Sequence, residues 1–459
     1  MAMYRRIFGG EQEYLLVASC YGVPVVTDLQ LICPADDQWG RNGCRAYRDV
    51  GEHPEYATPE LVNPMQAVSY TLAGHAEMAE RVRRYVEKER RSNSSFHAML
   101  CANNGDSRTI TYGTHENYMY PKSIMGLRWY CDPILPYLAT RLVIFGTGEY
   151  HIDVWGDGHL NLSQRARHML EPVANTTTRS RGFISERDEP HLGRANVEFG
   201  RLHVIEGSAQ ILPQLIGLKY ATMCVLMSMR EEGKLEGLPL GTFTADKDMM
   251  ALHHGANKNP GFKIYVVNHG RLSAVDVQRW YFDQALSYVD ATPEMAEFRP
   301  WIIIWGEHLD RLEESLDPEA HYGLLDWATK FRIMERWLSR EANVRARADL
   351  DPEQWYERVH ALEQSFHTLN DPGSLYWKIV NRFGRYDPAE VALAVDTPPS
   401  NTRAHVRGWA ASLPPVPHIV RSFNWSLITV GTKHFGINDP FCAKITEDML
   451  KSELKSHPK

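Results

Sequence analysis

No pair of cysteines in this 459-residue chain has the short spacing of a zinc site, and the seven present (Cys20, Cys33, Cys44, Cys101, Cys131, Cys224 and Cys442) are scattered and odd in number. That excludes a disulfide-stapled small domain and leaves reduced, mostly buried thiols as the expectation. A basic excess is missing as well: 50 lysines and arginines face 57 aspartates and glutamates, a formal net charge of -7, which argues against a nucleic-acid partner. No apolar run approaches the ~20 residues of a membrane span, and no signal-peptide region precedes the strand-like segment that begins at Tyr4. Internal repeats, low-complexity tracts, a nucleophile elbow and a zinc-protease motif are all lacking. The protein these absences describe is cytoplasmic, with neither nucleic acid nor membrane as partner.

What is present is material for a core. Hydrophobic residues make up 43% and aromatic residues 10% of the chain, enough to bury a large core without metals or staples. Alternating and β-branched residues over 4–18 predict a first strand interrupted at Gly9-Gly10. Arg41-Asn42-Gly43 is a turn signal before a strand over 44–50, and Asn63-Pro64 opens a helix predicted over 63–91. Further strands are expected over 96–102, 109–119 and 197–206, and helices over 211–231 and much of 295–347. The class is α+β, with strands concentrated in the first half. The turn-rich stretch Asp396-Thr397-Pro398-Pro399-Ser400 suggests a large domain over 1–390 and a small one over 391–459.

Chemistry concentrates in residues 41–60, RNGCRAYRDVGEHPEYATPE. On a strand, Arg45, Tyr47 and Asp49 project from one face, and the following turn delivers Glu55 and Thr58. Glu11 and Glu13 share one face of the preceding strand in the same way. Carboxylates so gathered raise one another's pKa unless cations intervene, and hard divalent cations such as Mg²⁺ suit oxygen donors. Spacing alone does not separate this from a solvated strand face with ordinary salt bridges.

The wording of the motif goes further. The 41–60 string is similar to one around the ATP and metal site of the PafA/Dop family. The resemblance continues in order through SRTITYGTHENY (107–118), LSQRARHMLEPVANTTTRSR (162–181), RDEPH (187–191), RLHVI (201–205), NTRAHVRG (401–408) and Asp439-Pro440-Phe441. It implies a glutamine-synthetase-like large domain, in which helices cover a curved antiparallel sheet, and a small C-terminal domain that contributes to the nucleotide site.

By the same resemblance Glu11, Tyr47 and Glu55 match metal-site positions, with Glu13 beside them, and Asp49 matches the catalytic aspartate. Arg45, Thr58 and Trp425 match ATP contacts. His203 and His115 resemble histidines near metal and phosphate; Arg201 and Arg187 are candidate phosphate contacts. The implied reaction uses ATP and Mg²⁺ to activate the terminal glutamate carboxylate of a Pup-like small protein and joins it to an amine such as a protein lysine, Asp49 accepting the amine's proton. The family also contains deamidating and depupylating members. The connection 15–40 is too short for their long insertion, and Asp439-Pro440-Phe441 leans to the ligases, whereas THENY and LLDW (324–327) lean the other way. Gly10, Gln12, Arg48 and Ser208-Ala209-Gln210 depart from the family's usual spelling, which keeps a peptide or small amino acid open as the carboxylate substrate. An idle ATP-binding scaffold is disfavoured by the intact Glu11, Tyr47, Asp49 and Glu55.

Overall fold

The computed structural model describes residues 3–33, 38–49, 51–105, 110–122, 126–152, 158–177, 180–187, 198–238, 245–266, 268–348, 351–413, 421–441 and 452. Among the described residues thirteen strands precede residue 205: β1 Phe8–Glu13, β2 Leu15–Cys20, β3 Val23–Val25, β4 Gln38–Trp39, β5 Arg45–Arg48, β6 Pro54–Ala57, β7 Phe96–Cys101, β8 Thr114–Pro121, β9 Glu149–Ile152, β10 Gly158–Asn161, β11 Met169–Ala174, β12 Arg181–Ser185 and β13 Phe199–Val204. Eight of them form one sheet in the order β11-β12-β13-β8-β1-β6-β5-β4. The expected all-antiparallel pattern fails at one edge, where β11 and β12 run parallel.

The first strand also differs from expectation. Gly9 and Gly10 lie inside β1 and do not interrupt it; the chain leaves the large sheet at Tyr14, and β2 enters a separate sheet of order β3-β2-β7. Close packing is the reason for Gly10: a Cβ there would stand 2.6 Å from the Tyr220 hydroxyl. Strand β5 ends two residues short of its expected limit, so Asp49 sits just beyond it, before a turn in which Glu52 takes a φ of 63°.

Two helices back the sheet. Pro64–Arg90 begins as expected, with Asn63 Oδ1 accepting from Met65 N at 2.7 Å and proline in the first turn. Its Gly74 lies flat on Tyr56 of β6, a Cβ being 2.4 Å from the ring. Helix Pro213–Glu231 is buried almost all round, and its Tyr220 stacks on Phe8 of β1 at 5.0 Å. The backbone donors of Ile211 and Leu212, just before this helix, are met from far away by the Asp326 carboxylate, each at 2.9 Å. Among the described residues no helix is long and apolar enough to cross a membrane. The described cysteines are free, and all but Cys20 are buried; Cys442 lies outside the described residues.

The helix side of the sheet also holds a sealed charge cluster. Glu116 accepts from Arg141 at 2.6 and 3.0 Å and from the Tyr118 hydroxyl at 2.6 Å, with Lys219 Nζ 3.5 Å away. Arg141 Nε also bonds Glu206. Two acids and two bases balance, which is the condition for burying them.

The expected domain limit at 390/391 falls inside helix Pro388–Asp396. That helix belongs with the large unit: Ala394 is part of the main core, and its carbonyl accepts from Asn42 at 2.8 Å. A second apolar cluster lies beyond it: Val406 and Ala410 of helix Ala404–Ser412, Ile428 and Val430 of strand Leu427–Val430, and Ile437, with Phe423 of strand Arg421–Phe423 and Phe435 of strand Lys433–Gly436 packed against them. We propose that the small unit starts after Thr397.

Burial pushes Glu116 up, but Arg141 and Lys219 overcome it and hold the carboxyl at about 2, below its ordinary 4.5. A lowered folded-state pKa gives stability that is complete above about 4.5 and is lost as pH falls towards 2. Acid unfolding followed by circular dichroism should therefore steepen in that window. Glu116→Gln should flatten it and cost about 3 kcal/mol at neutral pH.

Candidate active site

Register decides which side chains meet. Glu13 stands opposite Glu55 on β6, which stands opposite Tyr47 on β5; Glu11 stands opposite His115 on β8. Directly opposed residues share a face, so Glu11, Glu13, Tyr47, Glu55 and His115 look out from the same side, away from the two helices. Strand β13 adds His203 and Arg201, opposite Asn117 and Met119 of β8. Gly113 leaves the space that the His115 ring fills, since a Cβ there would stand 2.3 Å from Nε2.

Two sets of possible metal ligands result, Glu11–His115–His203 and Glu13–Glu55–His115, with the donor atoms of each set within 4.8 Å of one another. Glu11 Oε2 lies 3.3 Å from His115 Nδ1 and 3.7 Å from His203 Nε2, and its Oε1 is 3.7 Å from Arg201. Burial raises Glu11, but the His115 hydrogen bond and the Arg201 guanidinium outweigh it and leave the carboxyl below the ordinary range. Glu55 has no such help: burial and then the Glu11 and Glu13 charges push it well up, although Tyr47 hydrogen-bonds it. Tyr47 is raised too, by burial and Glu55, and Arg45 lies over its ring at 4.1 Å.

The donor set fits a hard divalent cation. Three carboxylates and a phenol offer oxygen, and the strain on Glu55 is what a cation would relieve. Among the described residues neither buried nitrogen of His203 has a hydrogen-bond partner, and burial keeps the imidazole neutral, which leaves a lone pair for a metal. His115 is already engaged, its Nε2 being 3.5 Å from the Arg165 guanidinium.

Asp49 stands at the edge of this face. Its Oδ1 accepts from His53 N at 2.6 Å, and the His53 ring packs edge-on against Tyr112. Burial, with the Glu13 charge adding, raises the Asp49 carboxyl against the backbone hydrogen bonds, towards the range of a proton acceptor.

Beside the carboxylates runs an open cleft, lined by Gly9, Thr58, Asn117, Arg201, Arg403 and Trp425 among others. It lies between the sheet and the C-terminal unit. Thr58 Oγ1 accepts from Gly10 N at 3.0 Å. Of the expected nucleotide contacts, Thr58, Arg201 and Trp425 line the cleft; Arg45 and Arg187 do not. Arg187 is exposed, and its carbonyl accepts from Arg201. The rest of RDEPH, 188–191, lies outside the described residues.

Several residues given no role in advance belong here. Arg165 is buried and donates to the carbonyls of Ile205 and Tyr112 at 2.6 and 2.7 Å. Burial pulls it down to about 10 and the Glu13 charge partly offsets this, so it remains a cation. Asn117 orients Arg201 through a 2.9 Å hydrogen bond. Glu60 binds Arg403 and Arg407. Arg165, Glu60, Arg403 and Arg407 all sit inside the motif strings 162–181, 41–60 and 401–408; what the sequence hides is their long-range partners.

Carboxylates, imidazoles and arginines on one sheet face, beside an aromatic-walled cleft, suit cation-assisted phosphoryl chemistry. Comparison with known proteins agrees. The Pup-ligase protein family matches residues 22–429, and the chain belongs to that family. It is 32% identical over 429 residues to the Pup–protein ligase of Saccharomonospora viridis, covering 88% of this chain and 89% of the relative. It is 31% identical to that of Mycolicibacterium smegmatis over the same shares. Among solved structures, the complex of the prokaryotic ubiquitin-like protein Pup with its ligase PafA aligns with a TM-score of 0.84 at 24% identity, covering 100% of this chain and 94% of that one. The Pup ligase PafA in complex with ADP gives 0.77 at 25%, covering 96% and 97%.

If the carboxylate face is built for a cation, Glu55→Gln should raise the melting temperature of the metal-free protein by about 2 °C and diminish the further rise that Mg²⁺ produces in the unaltered protein. Scanning calorimetry with chelator and with Mg²⁺ checks both.

Proposed function

We propose that this chain is an ATP- and Mg²⁺-dependent carboxylate–amine ligase that activates the C-terminal glutamate of a Pup-like protein and joins it to a protein lysine through an isopeptide bond. The observation that carries the reading is the juxtaposition on one sheet of Glu11, Glu13 and Glu55 with the cleft walled by Trp425, and of Asp49 at their edge. The ligase names of its relatives and their near-complete coverage support it. So does the likeness to an ADP-bound ligase.

ATP, when bound, supplies the phosphoryl group that makes the glutamate carboxylate a substrate for amine attack. Glu11, Glu13, Glu55, Tyr47 and His203 would hold Mg²⁺, which neutralises charge on the phosphates. Thr58 and Trp425 would contact the nucleotide, with Arg201 towards its phosphates. A lysine ammonium has no lone pair at neutral pH, so attack needs a base. Asp49 takes that role: His53 N holds the carboxylate in place, and burial together with Glu13 raises its proton affinity.

Incubation with Mg-ATP, glutamate-ended Pup and hydroxylamine should yield Pup hydroxamate and ADP, read by intact mass and a coupled ADP assay. With a protein lysine as acceptor in place of hydroxylamine, Asp49→Asn should keep ADP binding and lower conjugate formation by at least ~100-fold. No Pup-dependent ADP from a protein that binds Mg-ATP would reject Pup as substrate. Undiminished product from Asp49→Asn would remove Asp49 from the base role.

A further inference from the structure

Arg407 lies on helix Ala404–Ser412, is fully buried, and has every one of its five N–H donors placed. Nε and one NH2 donor go to the Gly43 carbonyl at 3.1 and 2.9 Å, and the other NH2 donor goes to Glu60 Oε2. The NH1 donors reach Glu60 Oε1 at 3.2 Å and the Trp425 carbonyl at 3.5 Å. Two indoles flank the same guanidinium, with its Cζ 4.7 Å from the Trp39 ring and 4.8 Å from the Trp425 ring. Trp39 meets Trp425 edge-on at 4.8 Å and donates from Nε1 to the Phe423 carbonyl at 3.2 Å.

These partners belong to different parts of the site. Gly43, at φ 80° and with no room for a Cβ against Ala404, is the turn that launches β5 with Arg45, Tyr47 and then Asp49. Glu60 follows Thr58 and lines the cleft, as does Trp425. One guanidinium thus ties the strand of the proposed base to the aromatic wall of the cleft. Trp39 does not line the cleft.

We propose that Arg407, packed against the mutually perpendicular rings of Trp39 and Trp425, is a positioning residue for nucleotide recognition: it holds the Trp425 wall in register with the strand that starts at Gly43. This rests on the cleft being the nucleotide site. Lysine cannot replace it, having three donors on a flexible stem and no planar guanidinium to pack against both rings. The consequence reaches Trp39, which acts on the nucleotide without lining its cleft.

The test compares the full chain with Arg407→Lys and Trp39→Phe. ADP affinity in Mg²⁺ is measured by calorimetry, Mn²⁺ affinity without nucleotide by electron paramagnetic resonance, folding by thermal melting, and the wall by tryptophan emission. Both variants should weaken ADP binding about tenfold and change the ADP-induced shift in emission, while Mn²⁺ affinity stays within about twofold. Trp39→Phe, the milder change, carries the test if Arg407→Lys does not fold. Unchanged ADP affinity in a folded variant overturns the proposal, as does an equal loss of Mn²⁺ and ADP binding, which would mean a general collapse of the site. An unaltered protein that binds Mn²⁺ but no ADP overturns the nucleotide reading and this inference with it.

Discussion

Glu13 and Glu55 face each other across neighbouring strands with donor atoms within 4.8 Å, and Glu11 stands two residues along the same face. Two like charges at about 5 Å repel by ~3 kcal/mol at an effective dielectric of ~20, a large share of a domain's net stability. The protein meets part of this itself, through Arg201 and His115 on Glu11 and the field of Arg165 near Glu13. Glu55 has the Tyr47 phenol as its hydrogen-bond partner, and burial with its acidic neighbours still pushes it up. The uncompensated remainder is what a cation bound there, as proposed, would neutralise.

That repulsion is tolerable because the strands cannot move apart. Tyr220 fills the space under Gly10, Gly74 admits Tyr56, and the Glu116–Arg141–Glu206–Lys219 cluster fixes the next strand from below with charges that cancel. The two faces of the sheet therefore use opposite electrostatics. Below, acids and bases are paired and sealed; above, acids outnumber their protein partners and open onto a cleft. The C-terminal unit closes that cleft through Glu60, whose carboxyl burial raises but Arg407 and Arg403 bring down to about 2, so the closure is held by ionised groups at any physiological pH.

Much of this was legible in the chain, for reasons that differ by residue. Period-two alternation placed Glu11 with Glu13 and Arg45 with Tyr47 on shared faces, and the Asn63-Pro64 signal set the start of the long helix to the residue. Local rules also misled: Gly9-Gly10 read as a strand break, because a glycine kept for the close approach of Tyr220 looks the same in sequence as one kept for a turn. Register across strands is a tertiary property, so the pairing of Glu13 with Glu55 and of Glu11 with His115 could not be read from spacing. Arg165 and Arg407 lay in quoted motifs, yet their partners are 50 and more than 300 residues away. The parallel pair β11–β12 at the sheet edge likewise left no local signal.

The claim on which the rest turns is that the carboxylate face and the neighbouring cleft act as one cation-and-nucleotide site. Titration of ADP into the protein by calorimetry, once with Mg²⁺ and once with chelator, tests it most directly. The account predicts binding at least about tenfold tighter with Mg²⁺, since the unshielded acids of Glu11, Glu13 and Glu55 oppose the diphosphate when no cation stands between them. Equal affinity in the two titrations would contradict it, separating the cleft from the carboxylates beside it.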